Sequence, residues 1–221
     1  MYYNDFCDRL ALRCLLPKTG NKIADFCGGY GRLADEYLIK FKEAYLFDCA
    51  PGLLKQAKEK YGDSLQITQG TIYETPFEPC EFDSVIMIRA SHFLSDLNSA
   101  VKEINRVLKN GGNAVIEIAN KRNIFEISRW LRRKSSLRPF SFEPENENNM
   151  GFFWYHPKHV EQIFRQNGLI IKKVIAASWF CRKFSKMFWN TKLLCAMEQF
   201  FQNTVGRIKW TASLFYLLEK V

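Results

Sequence analysis

The chain has 221 residues, 47% hydrophobic and 25% charged, a globular composition with length for one ordinary domain and its appendages. That excludes two full enzymatic domains, a mostly disordered chain and a small disulfide-stapled scaffold. The formal charge of +9 is unevenly placed: residues 1–120 carry a net −2, residues 121–140 +6, residues 141–180 zero and residues 181–221 +5. A basic excess can attract nucleic acid, an anionic membrane surface or an anionic substrate, and here it would do so only through the second half of the chain.

Read in chain order, the start Met1-Tyr-Tyr-Asn-Asp5 is acidic and polar rather than basic then apolar, so no secretory signal is expected. No run reaches the roughly 18 uncharged apolar residues that span a bilayer. Short apolar runs then alternate with helical patterns. Strands are expected at Lys22–Phe26, Ala44–Phe47, Leu65–Thr68, Ser84–Ile88 and Asn113–Ala119, with helices at Gly31–Phe41 and Pro51–Tyr61, the second opened by a proline whose missing N–H costs nothing in a first turn. Leu97, Ala100, Val101, Ile104, Val107 and Leu108 recur at three- and four-residue steps, a core-facing helical stripe. That helix is expected to stop at Lys109-Asn110-Gly111-Gly112, where a cation meets the negative helix end and glycine supplies the left-handed turn.

The stretch Lys121–Asn149, basic and then acidic and Asn-rich, reads as an insertion. After Pro157 a helix ending near Asn167-Gly168 leads to a strand at Leu169–Ala177, and Ser213–Glu219 is its expected antiparallel partner. Between them, Trp179-Phe-Cys-Arg-Lys-Phe-Ser-Lys-Met-Phe-Trp189 mixes bulky apolar and basic residues at near-helical spacing, a pattern suited to a membrane surface, to the edge of an apolar acceptor site, or to a helix packed on the body. The alternation implies an α/β, Rossmann-like seven-stranded sheet, mostly parallel with an antiparallel last strand and with helices on both faces. Seven widely spread cysteines without a Cys-x-x-Cys pair suggest neither a disulfide framework nor a metal site, and fit reduced thiols in a cytoplasm.

Ligands of such sheets bind beyond the carboxyl ends of the strands, so the residues there carry the chemistry. Asp25-Phe26-Cys27-Gly28-Gly29-Tyr30-Gly31 lies between a strand and a helix, where glycines let the backbone approach a ligand closely. Asp48 ends the second strand, 17 positions after Gly31, and is placed either to accept from both hydroxyls of a ribose or to cap the helix beginning at Pro51.

Taken with Glu81-Phe82-Asp83-Ser84-Val85 and Arg106-Val-Leu-Lys-Asn-Gly-Gly112, these segments resemble the class I S-adenosylmethionine-dependent methyltransferases, in particular the small-molecule group with an Asp-x-Gly-x-Gly-x-Gly loop. The resemblance covers about 100 residues, from Ile23 to Ala119. It implies S-adenosyl-L-methionine as cofactor, held by Asp25, Cys27, Gly28, Gly29 and Gly31 in the loop, by Asp48 at the ribose, by Thr71 and Ile72 at the adenine, and by Arg89 at the cofactor carboxylate. Two departures stand out: Cys27 replaces the usual first glycine of the loop, and Thr71 stands where an acid often accepts from the adenine amine. A third reading of the residues adds a base for a hydroxyl acceptor, with His92 after strand four the first choice and His156 and His159 the others.

The expected organisation is one methyltransferase domain over residues 1–221: a cofactor-binding half at 1–120, an inserted lid or acceptor-pocket segment at 121–156 and C-terminal strands with an inserted basic aromatic helical region at 157–221. The expected partner is a small, partly apolar acceptor in the cytoplasm, with peripheral lipid contact through the basic aromatic segments and no nucleic acid or metal. Two alternatives stay open at this point. One is a nicotinamide-dependent oxidoreductase, because Gly29-x-Gly31-x-x-Ala34 also fits a dinucleotide loop, although too little chain follows residue 120 for a second catalytic domain. The other is a non-catalytic or RNA-binding protein on the same fold, for which Cys27, Thr71 and the basic segment speak.

Overall fold

The computed structural model describes residues 3–146, 151–180 and 191–221. Most of the Trp179–Trp189 segment, singled out above for its basic and aromatic residues, lies outside the described residues.

The elements, in order, are α1 (Tyr3–Leu15), β1 (Gly20–Phe26), α2 (Ala34–Tyr37), β2 (Phe41–Asp48), α3 (Pro51–Tyr61), β3 (Gln66–Gln69), β4 (Phe82–Met87), α4 (Leu97–Val107) and β5 (Leu108–Ala119). They continue with α5 (Ile124–Leu131), β6 (Glu145–Asn146), β7 (Phe153–Trp154), α6 (Pro157–Gln166), β8 (Leu169–Ala177), α7 (Thr191–Val205) and β9 (Ser213–Lys220). Seven strands form one sheet in the order β3-β2-β1-β4-β5-β9-β8. The first five are mutually parallel, and β9 runs antiparallel to both β5 and β8. The chain reverses between β1 and β4, the point where such sheets open a crevice for a ligand.

Apolar residues on the two faces of the sheet build two cores. One gathers Phe26, Phe47, Phe77 and Phe82 with the apolar stripe of α4; the other gathers Ile23, Leu46, Ile86 and Phe215 with α1, α2 and α3. The stripe on α4 is buried as its period requires, and Asp96 caps this helix by accepting from the Ser99 N–H at 3.0 Å.

Two local expectations change and one element, α1, was not foreseen. The helix expected over Gly31–Phe41 is reduced to α2, four residues flanked by isolated turns. β2 begins at Phe41 rather than Ala44 and takes the final residue of the expected helix into the sheet, while the Gly20 N–H bonds the Lys40 carbonyl at 3.0 Å. The helix stop foreseen at Lys109–Gly112 instead lies inside β5, because Leu108 pairs with Phe82 and an irregularity in the register between Phe82 and Ser84 absorbs Gly111 at φ +73°. The unforeseen element is α1. Its buried Cys7, Ala11, Leu12 and Leu15 follow a helical period, but charges broken into that stripe hid it, and ion pairs to distant residues hold it in place.

Candidate active site

The carboxyl ends of β1, β2, β3 and β4 face one groove with two lobes. The larger is a cavity of about 490 Å³ lined by Asp48, Thr71, Ile72, Tyr73, Phe93 and Leu94, among others. The smaller, about 210 Å³, is lined by Asp25, Gly28, Tyr30, Arg32 and Ile88. Cys27, Gly29, Leu53 and Arg89 line both, so the lobes meet at that waist. The larger lobe has the size of an ordinary small-molecule site.

Asp48 braces the two segments that flank the end of β2. Its Oδ2 accepts from the Gly29 N–H at 2.8 Å and its Oδ1 from the Ala50 N–H at 2.8 Å, so it fixes the glycine loop and the start of α3 together. Each carboxylate oxygen retains a second acceptor site, and the residue also lines the larger lobe. The loop needs glycine at two places for different reasons. A Cβ at Gly28 would stand 2.3 Å from Leu46 Cδ1 and 2.6 Å from Asp25 Cγ, and Gly29 sits at φ +59°, where only glycine is unstrained.

Asp25 is buried beneath this loop and accepts from the Tyr37 hydroxyl at 3.1 Å. Burial pushes its carboxyl up to about 7, against the pull of Tyr37 and of the Arg32 charge. Cys27 adopts φ +56°, the left-handed conformation that the usual glycine would take without strain. Burial pushes its thiol up to about 12, with the Asp48 charge adding to the effect, so the waist of the groove holds a small neutral side chain. Thr71 and Ile72 both line the larger lobe, and no hydrogen bond within the described residues engages the Ile72 N–H.

Arg89 departs from the free cation that was expected. It is bent to φ +60°, and its guanidinium reaches back to the Asp8 carboxylate of α1 at 2.8 Å, to Ser178 Oγ at 3.3 Å and to Glu117 Oε1 at 3.6 Å. Its own N–H donates to Glu117 Oε2 at 3.1 Å, and Ser213 Oγ donates to the other oxygen of that carboxylate. Arg32 joins the same group through Asp5 at 2.6 Å and Asp8 at 2.9 Å. Sequence reasoning missed Asp8 and Arg32, because no local pattern connects residues 81 positions apart. The apolar wall of Leu53, Tyr73, Phe93 and Leu94 was missed for a similar reason, as it is assembled from three segments distant in sequence.

The other expected residues lie off the groove. Gly31, at φ +72°, packs under the loop against Tyr61. His92 lines neither lobe: its ring stacks on Phe152 at 4.3 Å and beside Phe93 at 4.1 Å, and burial, then the charge of Arg89, brings it down to about 4. His156 serves instead as the N-cap of α6, its Nδ1 accepting from the Lys158 N–H at 3.2 Å, and burial followed by the charge of Arg122 lowers it. His159 packs against Phe142. The lead-in residue Asp83 sits at the opposite, amino edge of the sheet, accepting from the Lys22 N–H at 2.7 Å and pairing with Lys109 at 2.8 Å, a structural brace.

Comparison with known proteins gives this geometry its context. Residues 24–116 match the model of the methyltransferase domain family. Demethylmenaquinone methyltransferase of Staphylococcus carnosus is 33% identical over 112 residues, covering 47% of this chain and 45% of that protein. The chain spans about half the length of the first curated relatives it matches. Two solved structures share the fold: an S-adenosylmethionine-dependent methyltransferase from Thermotoga maritima (TM-score 0.68, 16% identity, 99% of this chain and 90% of that one) and another from Clostridium acetobutylicum (0.65, 15%, 100% and 92%). With the glycine loop, the strand-two acid and the antiparallel β9 all in the positions the resemblance requires, the chain has the fold of the S-adenosylmethionine-dependent methyltransferases and is similar over residues 24–116 to the methyltransferase domain family.

Proposed function

We propose that the protein transfers the methyl group of S-adenosylmethionine to a small, partly apolar acceptor by in-line displacement, in the cytoplasm. The observation that carries this reading is the two-lobed groove, with a carboxylate at the lip of the larger lobe and a buried carboxyl under the smaller. The residues suit the cofactor. Asp48 keeps acceptor sites for the ribose hydroxyls, the Ile72 N–H is available to a ring nitrogen, and Gly29 leaves the waist open. Asp25 and Arg32 line the lobe where an amino acid end would lie, an anion for its ammonium and a cation for its carboxylate. When bound, S-adenosylmethionine supplies an electrophilic methyl group on a sulfonium.

The task left to the chain is alignment, which can contribute roughly 7 to 11 kcal/mol to such a step. Neither lobe is lined by a histidine, so an acceptor that is already nucleophilic suits the groove best. The exposed ring of Phe93 and the side chains of Tyr73, Leu53 and Leu94 give the larger lobe a mostly apolar wall, which supports an apolar acceptor, as does the similarity to demethylmenaquinone methyltransferase. Calorimetric titration with S-adenosylmethionine and S-adenosylhomocysteine, with NADH as control, tests the reading. Micromolar binding of the first two and none of the third is expected; NADH binding alone would replace it with the oxidoreductase alternative.

Asp25 gives a second test. A carboxyl at about 7 in the folded protein and about 3.9 in the unfolded chain retains its proton longer when folded, so it lowers stability as pH rises from about 4 to about 7. Asp25→Asn is therefore expected to be more stable than the parent at pH 8, on the order of 2 kcal/mol, and no more stable at pH 4. The same substitution removes the partner of the cofactor ammonium, so affinity for S-adenosylmethionine is expected to fall at least tenfold, on the order of 1.4 kcal/mol. Melting curves at the two pH values and calorimetry at pH 8 read both effects. A variant with unchanged affinity would remove Asp25 from the cofactor site.

A further inference from the structure

Helix α5 is built inside out. Of Ile124-Phe-Glu-Ile-Ser-Arg-Trp-Leu131 only Glu126 is buried, where it accepts from Ser135 Oγ at 2.9 Å and pairs with Arg129 at 2.6 Å. The apolar residues Ile124, Trp130 and Leu131 are exposed, Leu131 to 69%. Ile124 and Leu131 stand two turns apart on one stripe, with the half-buried Ile127 between them.

This face extends beyond the helix. The Trp130 ring meets the exposed Phe140 edge-on at 5.7 Å, and the Ile124 N–H donates to the carbonyl of Trp210, itself exposed, at 2.9 Å. Directly after the stripe come Arg132, Arg133 and Lys134, all exposed and in no ion pair among the described residues. The nearby acids are already engaged, Glu126 by Arg129 and Glu145 by Lys121 and Arg138. Exposed apolar side chains next to unpaired cations match one surface, the headgroup zone of an anionic bilayer. An RNA would use the cations and leave Ile124 and Leu131 in water.

We propose that α5, with Phe140 and Trp210, is a docking face for an anionic phospholipid bilayer. The helix lies in the plane of the interface, its apolar stripe among the upper acyl chains and Arg132, Arg133 and Lys134 on the headgroup phosphates. α5 leaves the carboxyl end of β5, the sheet edge that carries the groove, so docking brings the bilayer to the side from which an apolar acceptor would enter. The inference stands apart from the methyl-transfer reading, because binding to vesicles is read without any cofactor.

Flotation with vesicles tests it, using an equimolar mixture of phosphatidylglycerol and phosphatidylcholine against phosphatidylcholine alone. The protein is expected to float with the mixed vesicles at least tenfold more strongly than with the neutral ones, since each unpaired cation contributes roughly fivefold at such a surface. Leu131→Ser is expected to weaken flotation roughly tenfold by removing one buried apolar anchor. The double variant Arg132→Glu with Arg133→Glu is expected to abolish it. Both variants alter exposed residues, and unchanged melting curves verify that they fold. The inference is overturned by absence of flotation, by equal binding to the two vesicle types, by variants that float like the parent, or by salt-sensitive binding to bulk RNA without flotation.

Discussion

Arg89→Met is expected to lower the stability of the protein by about 3 kcal/mol, because it leaves two buried carboxylates without their shared cation. The partners are nearly sealed from solvent, Asp8 at 2% and Glu117 at 1% exposure of the side chain, whereas the Arg89 side chain retains 33%, which places the effect at the low end for a broken buried pair. Asp8 keeps Arg32 at 2.9 Å, so the larger share of the loss falls on Glu117. Burial already raises the Glu117 carboxyl against the pull of Arg89, and removing that pull raises it further. A carboxyl raised in the folded state binds its proton more tightly there than in the unfolded chain. The deficit of the variant must therefore be small near pH 4, where both states are protonated, and grow as pH rises towards neutrality. Chemical unfolding at pH 4.5 and pH 8 measures it; a deficit equal at the two values would mean that Glu117 is not the group that Arg89 neutralises. The double variant Arg89→Met with Glu117→Gln should recover much of the loss, since a neutral amide needs no cation.

Asp48→Ala is expected to weaken S-adenosylmethionine binding by tenfold to a hundredfold, about 1.4 to 2.8 kcal/mol, from the loss of charged hydrogen bonds to the ribose and of the anchor under the glycine loop. The two contributions separate in Asp48→Asn. Its amide oxygen can still accept from either the Gly29 or the Ala50 N–H, each bonded to the aspartate at 2.8 Å, but it brings no charge to the ribose. Asn is expected to fall between Ala and the parent in affinity and to recover most of the melting temperature. Adenosine, which shares only the nucleoside end, should lose affinity by the same factor as the whole cofactor. Unchanged affinity in Asp48→Ala would mean that the ribose is held elsewhere and that Asp48 only braces the loop.

The buried group that surrounds Arg89 gives α1 a part in the site. Asp8 bonds Arg89 at the end of β4 and Arg32 just after the glycine loop, so one carboxylate on an N-terminal helix ties together two segments that line the groove. Arg9 and Arg13 add bonds to Glu36 at 3.1 and 2.6 Å. The waist at Arg89 is therefore set by the docking of α1 as well as by the strand that carries it.

The sequence by itself determined the sheet and the location of the site. Strand and helix periods are local properties of five to twelve residues, and the glycine loop followed 17 positions later by an acid at a strand end fixes a distance across two neighbouring parallel strands. Asp25, Gly28, Gly29, Asp48, Thr71 and Ile72 accordingly all reach the groove. What the tertiary structure decided is the direction of each side chain whose partners lie far away in sequence. His92 and Arg89 follow β4 as expected, yet His92 turns to Phe152 and Arg89 to Asp8, because a ring finds an apolar neighbour and a guanidinium finds buried carboxylates wherever the fold supplies them. The same holds for α5: the local sequence shows a tryptophan beside basic residues, and only the packed fold shows that Glu126 went inside while Leu131 and Trp130 remained in solvent. Periodicity states that a helix has two faces; which face is covered depends on elements that the local sequence does not contain.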